Sequence, residues 1–351
     1  MKKSVHLSAN SSAKLLSRLL SGLALVGVLA FPSSNHAQEV LKAHAGAPDG
    51  GSYAATIGVA KLLEKYTDFR MQIQSGQTGT KSMVQLARAR IDFTLIPVNA
   101  VNLMRGQKAM YRKLKGAPAL AERLRGIMVW ECCSWHYLTY ADSDIESFSD
   151  LDGKKIYTGP PGSIAKHFLQ TIIGTAGLEA GRDYTPVNLD WGSGGQAFRD
   201  RNLDVLIQPA FIGSPVIEQF AVSRKIRVID LPEESEAPGL KEALSLPGRD
   251  IGIIAPGTYK GAVNEEPVRV ISMRHIGGVG IHLDTDVVYA MTAAVWDHLD
   301  EFHAYGARLH TVNREMVFKS MNIPLHAGAY RYYKEKGFDI PAHIIPPEAG
   351  H

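Results

Sequence analysis

The sequence predicts an α/β protein built on parallel strands, and three observations carry that reading. Short strand-like apolar runs alternate with longer runs of helical period, and loops rich in Gly, Ser and Thr join each strand to the helix after it. Of 351 residues, 45% are hydrophobic and 21% charged, enough apolar material for about two domains, and this excludes a chain disordered throughout.

Taken in order, Val40 to Ala45 reads as a first strand and Gly46 to Ser52 as a loop. Tyr53 to Tyr66 reads as a helix, with Ile57, Ala60, Leu62 and Leu63 on one side. Phe69 to Gln74 is a second strand, and Ser75 to Gly79 turns into a helix that faces Met83, Leu86 and Ala87 inward. Phe93 to Ile96 is a third strand, and Pro97-Val98-Asn99 opens the next helix. Two further strands are expected at Ile127 to Val129 and at Tyr137 to Tyr140. Lys155 to Thr158 leads through Gly159 to Ser163 into a helix ending near Thr175, with Gly177 as its stop. Thr185 to Leu189 leads through a Trp191 to Gly195 loop into a helix at Phe198. Val205 to Ile207 leads through a Gln208 to Pro215 loop into a helix at Phe220. An apolar run at Val268 to Ile276, one helix from Thr285 to about Tyr305 and the stretch Ile323 to Phe338 complete the chain.

The N-terminus has a separate logic. Leu19 to Phe31 is apolar for only thirteen residues, where a spanning helix needs about twenty. Lys2, Lys3, Lys14 and Arg18 precede it with no acidic residue, and Ser33 to Ala37 supplies a small-residue exit. This is the pattern of a secretory signal peptide over residues 1–37, with cleavage expected after Ala37. The remaining chain carries 34 basic and 35 acidic residues, so the basic balance of the whole belongs to that segment. Nucleic-acid binding is therefore not expected.

Chemistry-bearing motifs are few. No nucleophile elbow, P-loop or Rossmann spacing occurs, no paired histidines stand at a metal-ligating helical spacing, and no cofactor is expected. His298 and His303 fall on different faces of a helix, and Asp284 and Asp286 read as helix-start charges rather than an acid/base pair. Six Gly/Ser/Thr/Gln-rich loops at strand ends point to a ligand crevice, where helix N-termini offer N–H groups to an anion. Cys132-Cys133 stands apart: in an oxidising compartment adjacent thiols form a vicinal disulfide, stay reduced, or pair outside the chain. His136 is the nearby base that a thiol enzyme would use. Trp130, Trp135 and Tyr137 fit either a cleft wall or the core.

The order of segments resembles the TAXI solute receptors, the substrate-binding component of one class of tripartite ATP-independent periplasmic (TRAP) transporters. The resemblance runs over Gly50 to Tyr53, Thr78-Gly79-Thr80, Ala89 to Phe93, Asp150 to Ile156, Pro161-Gly162-Ser163 and Leu203-Asp204-Val205. Gly213-Ser214-Pro215, Asp286 to Tyr289, Ile323 to Ala329 and Arg331-Tyr332-Tyr333 extend it to the C-terminal region.

The resemblance implies a two-lobed, type II-like periplasmic solute-binding fold. Residues 38–136 plus 250–351 would form one lobe and 137–249 the other. It further implies a small anionic solute (an amino acid, a dicarboxylate or another organic acid) and delivery to membrane-embedded TRAP permease subunits. Ser52, Tyr53, Thr78, Gly79, Thr80 and Asn99 then fall in cleft positions on one side. Gly162, Ser163, Gln208, Phe211 and Ser214 fall on the other, and Trp135 would cover the apolar part of the solute. Departures from the family pattern are Thr80, Met83, Asn99, Ile164-Ala165 and the double Cys; they bear on the ligand more than on the fold. A secreted enzyme using Cys132 or Cys133 with His136, and a sensory binding module without transport, are the alternative readings.

Overall fold

A computed structural model describes residues 39–46 and 51–350. The signal-peptide and cleavage readings fall on residues 1–37, outside the described residues. The chain runs β1 (Glu39–His44), α1 (Gly51–Tyr66), β2 (Phe69–Gln74), α2 (Gly79–Ala87), β3 (Phe93–Pro97), α3 (Val98–Arg105), α4 (Ala117–Ala121) and β4 (Leu124–Tyr140). It continues with β5 (Lys155–Tyr157), α5 (Ile164–Thr175), β6 (Thr185–Val187), α6 (Trp191–Arg199), β7 (Val205–Ala210), α7 (Pro215–Glu218), β8 (Ile226–Val228), α8 (Leu240–Ser245) and β9 (Arg249–Ile254). β10 (Val268–Gly280), α9 (Thr285–Trp296), α10 (Leu299–Ala304) and α11 (Ala327–Glu335) complete it. The α/β class expected from the sequence holds.

One mixed sheet has the order β2-β1-β3-β10-β4-β7-β5-β6, with β8 on β4 and β9 on β10. β2-β1-β3 form a parallel first arm, and β7-β5-β6 a parallel second arm. The long strands β4 and β10 join them. β10 runs antiparallel to both β3 and β4, and β7 antiparallel to β4. The two arms therefore run in opposite directions, and register shows where they end. Pro97 closes β3 level with His275, which pairs Trp130; Ala210 closes β7 level with Ser134. Both arms thus aim their carboxyl ends at the same short stretch of β4, Glu131 to Cys133.

Four sequence expectations change. The two strands expected around residue 130 are one seventeen-residue strand. Ser134 and His136 in its polar middle survive burial because both are paired: Ser134 Oγ with Ser272 Oγ at 2.7 Å and His136 Nε2 with Tyr259 Oη at 2.6 Å. Trp191 to Gly195 is not a loop but the start of α6. Asp190 caps it, its carboxylate accepting from Ser193 N at 3.0 Å, and Gly194 lets the buried Tyr157 ring lie against the helix. Gln208 to Ala210 belong to β7 rather than to the loop after it. The single helix expected over 285–305 is broken between α9 and α10. There His298 leaves helical geometry and its ring stacks on Tyr66 at 3.4 Å.

One apolar cluster runs under both arms. A second gathers Leu138, Tyr157, Phe198 and Leu206 of the second arm with Ile254, Tyr259, Val268 and Val270. The early part of β10 and the segment before it therefore pack with the second arm.

Candidate functional site

A cavity of about 420 Å³ occupies the gap between the opposed strand ends. Its floor is the middle of β4 and β10, through Cys132, Cys133, Trp135 and His275. The first arm supplies a wall of small polar residues: His44 at the end of β1, Ser52 on α1, and Gln77 to Thr80 and Ser82 around the start of α2. The second arm supplies Ser163 and Ile164 at the start of α5, Trp191 and Arg199 of α6, Gln208 of β7, and Val216 and Phe220 at α7. Six strand ends thus face one space, as open α/β sheets arrange a ligand crevice.

Among the described residues that line the cavity, Arg199 is the one Lys or Arg, and no Asp or Glu is present. Its guanidinium leans over the Phe220 ring at 5.3 Å and donates to the Gln196 side chain. His275 Nδ1 and Ser52 Oγ share a hydrogen bond at 3.2 Å, and His44 Nδ1 and Ser82 Oγ share one at 3.0 Å. Burial lowers both imidazoles from their usual range, His275 to about 4, so both are neutral at pH 7. The cavity is therefore a neutral polar wall with one cation on the opposite side.

The arms touch across the gap, where Thr80 Oγ1 donates to the Gly162 carbonyl at 3.1 Å. Trp135 packs on Trp191 with ring centroids 6.2 Å apart and on Phe168 at the same distance. It is buried, and its indole N–H has no hydrogen-bond partner in the structure.

A family model described as "NMT1-like family" matches residues 44–337, most of the chain. The chain belongs to the NMT1-like family. Solved structures similar to this NMT1-like chain include a TRAP periplasmic solute-binding protein from a Sulfitobacter species with bound β-D-galacturonate. It is 10% identical, with a TM-score of 0.46, over 78% of this chain and 84% of that one. Another, from Pseudomonas aeruginosa with bound L-malate, is 9% identical, with a TM-score of 0.45, over 78% and 87%. The periplasmic aliphatic sulphonate binding protein of Escherichia coli is 13% identical, with a TM-score of 0.42, over 87% and 96%. Likenesses this distant carry no inference about a ligand.

Of the twelve cleft residues named from the sequence of this NMT1-like protein, Ser52, Thr78, Gly79, Thr80, Trp135, Ser163 and Gln208 line the cavity. Tyr53, Gly162, Phe211 and Ser214 are not among its lining residues, although Gly162 meets Thr80 at its edge. Ser214 caps α7, its hydroxyl accepting from Val216 N at 3.3 Å, and Phe211 gives its carbonyl to Tyr259. Asn99 is buried at the start of α3 and borders a different cavity, beside His167 and Arg249.

Cys132 and Cys133 are free thiols, their sulfurs 3.0 Å apart and unbonded, so the vicinal disulfide is not formed in the structure. His136 lies at no wall of the cavity. Its Nε2 faces Tyr259 Oη and its Nδ1 the Ser134 carbonyl at 3.0 Å, and burial pushes the Cys132 thiol well up. A thiolate-imidazole pair has no basis in that arrangement.

His44, Trp191, Arg199, Phe220 and His275 were not named as site residues from the sequence, though Trp191 opens one of the six crevice loops. The first two stand at positions that topology marks, the last residue of a strand and the first of the helix after a strand. For Arg199 and His275, at a helix end and in mid-strand, no sequence signal exists.

Proposed function

We propose that the protein is an exported solute receptor of the TAXI type, working in the periplasm and capturing a small carboxylate-bearing solute for a TRAP permease. The observation that carries the reading is the cavity between opposed strand ends, whose described lining residues include one arginine and no carboxylate. An anion entering it meets hydroxyls, backbone N–H groups at the start of α2 and α5, and the Arg199 charge, with no like charge among the described lining residues to repel it. The segment resemblance to TAXI receptors supports the same assignment, and transport to a permease rests on that resemblance.

The lobes are residues 38–136 with the C-terminal segment, and a second that begins at residue 137. The core contacts of Ile254 to Val270 favour a return crossing near Ile271 rather than at Asp250. Closure would turn about β4 and β10, the two strands common to both arms, and would stabilise ligand only through contacts made in the closed form. No catalytic role is assigned to the thiols, because His136 is spent elsewhere.

A thermal-shift panel of carboxylates, amino acids, sulfonates and aromatic acids tests the reading. An acid present at a hundred times its dissociation constant stabilises the protein by about 2.7 kcal/mol, which raises the melting temperature by degrees. Arg199→Gln should shrink the shift given by an acid more than that given by its amide. A folded protein that no member of the panel stabilises overturns the reading.

A further inference from the structure

β-strands send consecutive side chains to opposite faces, so two adjacent cysteines in a strand normally cannot meet. Here they do. The pairing of β10 with β4 slips between Met273 and Arg274: Met273 faces Cys133, Arg274 faces Glu131, and Cys132 is the extra residue of a bulge. Both thiols consequently line the same cavity, with their sulfurs 3.0 Å apart. That is closer than the roughly 3.5–4.0 Å at which even smaller carbon atoms reach their optimal separation.

We propose that Cys132 and Cys133 are a redox-active dithiol in the cavity wall, a modification site that a peroxide closes to an eight-membered disulfide ring and a dithiol reductant reopens. The site does not depend on the receptor reading. Cys133 is the partly exposed thiol and Cys132 the buried one, which sets their roles. The Cys133 thiolate attacks one peroxide oxygen, the O–O bond breaks, and the departing hydroxide takes a proton to leave as water. Cys133 is then a sulfenic acid. The Cys132 sulfur attacks it, the S–S bond forms as the S–O bond breaks, and the Cys132 proton leaves with the hydroxide as a second water. Each sulfur gives up one electron and the peroxide accepts two.

Adjacent Cα atoms lie about 3.8 Å apart across a trans peptide, short of the usual 4.4–6.8 Å span of a disulfide. The ring is therefore strained, and strained disulfides are the easily reduced, switchable ones. Burial, which pushes the Cys132 thiol up, favours the order in which Cys133 reacts first.

The experiment counts thiols. The full protein is reduced, exposed to hydrogen peroxide, quenched in acid, and alkylated in guanidinium so that burial hides nothing. Intact mass should show two labels before peroxide and none after. The unlabelled product should be lighter by two hydrogens, and two labels should return with dithiothreitol. In the native protein, iodoacetamide should mark Cys133 before Cys132. Cys132→Ser should lose its remaining label only by gaining oxygen or by dimerising; if that variant does not fold, the wild-type mass alone decides. Two labels persisting after a peroxide dose that consumes free cysteine would overturn the proposal, as would a wild-type product that gains oxygen or links two chains.

Discussion

The two walls of the cavity are built from different chemistry on the same plan. Each comes from three parallel strands whose carboxyl ends feed helices, but the first presents Ser52, Thr78, Thr80, Ser82 and the neutral His44 imidazole, with neutral His275 beside it on the floor. The second presents Trp191, Phe220, Val216 and Ile164, with Arg199 as the one cation among its described residues. On the first side polar groups already hold one another, as in the His44–Ser82 and His275–Ser52 pairs. On the second, rings pack on rings: Trp135 on Trp191, Trp191 against Tyr157 at 5.9 Å, and Phe198 against Phe220 at 5.9 Å. The difference teaches that one wall is suited to recognise polar groups and the other to cover an apolar body, and that the second depends on close packing behind it.

That dependence gives the largest expected effect. A Cβ at Gly194 would sit 2.5 Å from the Tyr157 ring, which is fully buried and whose hydroxyl donates to the Leu189 carbonyl at 3.2 Å. Neither partner has room to yield, so Gly194→Ala should cost about 3 kcal/mol, the upper end of ordinary overpacking. The midpoint of urea unfolding reads it directly. If the variant is as stable as wild type, the second wall is softer than its packing implies.

The helices behind the first arm should be acid-sensitive, since α11 packs on α9 and α9 on α1. His326 caps α11, its Nδ1 accepting from Gly328 N at 3.2 Å while its Nε2 faces the Leu283 carbonyl at 3.0 Å. Burial lowers its pKa from the usual 6.5 to about 4. A histidine buried neutral contributes stability that is complete above pH 6.5 and is lost as pH falls from there towards 4, because the unfolded chain takes up the proton first. The loss approaches about 3 kcal/mol. His326→Asn keeps a good cap without the titration. Its stability against pH should be flatter across that window, and an unchanged slope would move the acid sensitivity elsewhere.

How much of this was legible in the sequence follows the range of the interactions. Strands β1, β2, β3 and β5 and helices α1 and α5 stood within a residue or two of their observed bounds, because local period and turn residues set them. β4 did not, since a polar stretch such as Glu131 to His136 reads as a break until its partners on β7, β10 and the Tyr259 segment are in place. Gly192, Gly194 and Gly195 signalled a loop by propensity, and the tertiary contact with Tyr157 overrode it. Hydroxyls on the loops of the first wall could be named from composition. The aromatic second wall could not, because a ring on a helix looks the same whether it faces core or cavity.

A smaller effect tests a hydrogen bond that ties the walls together. Thr80→Val keeps the shape and removes the hydroxyl that donates to Gly162 O. The expected cost is about 1 kcal/mol of stability, the ordinary net worth of such a bond. Any acid identified in the thermal-shift panel should also bind less tightly, because the contact spans the gap that closure must seal. A loss of stability without loss of affinity would make Thr80 a brace rather than part of the recognition surface.

Ser163 makes the opposite case and the smallest one. It lines the cavity, yet its Oγ donates to the Pro160 carbonyl at 2.7 Å and accepts from Lys166 N at 3.2 Å, so it serves the start of α5 at both ends. One lone pair is left for a solute, and the hydroxyl has no second proton to give an anion. Ser163→Ala should therefore cost up to about 1 kcal/mol of stability, as the loss of an N-cap does, with little change in affinity for an acid. Ser163→Asp keeps a capping oxygen and restores much of that stability, but it places a negative charge beside the solute, so acid binding should fall while binding of the matching amide holds. If Ser163→Ala instead weakens acid binding tenfold, the hydroxyl turns to the solute on closure, and the second wall takes part in polar recognition after all.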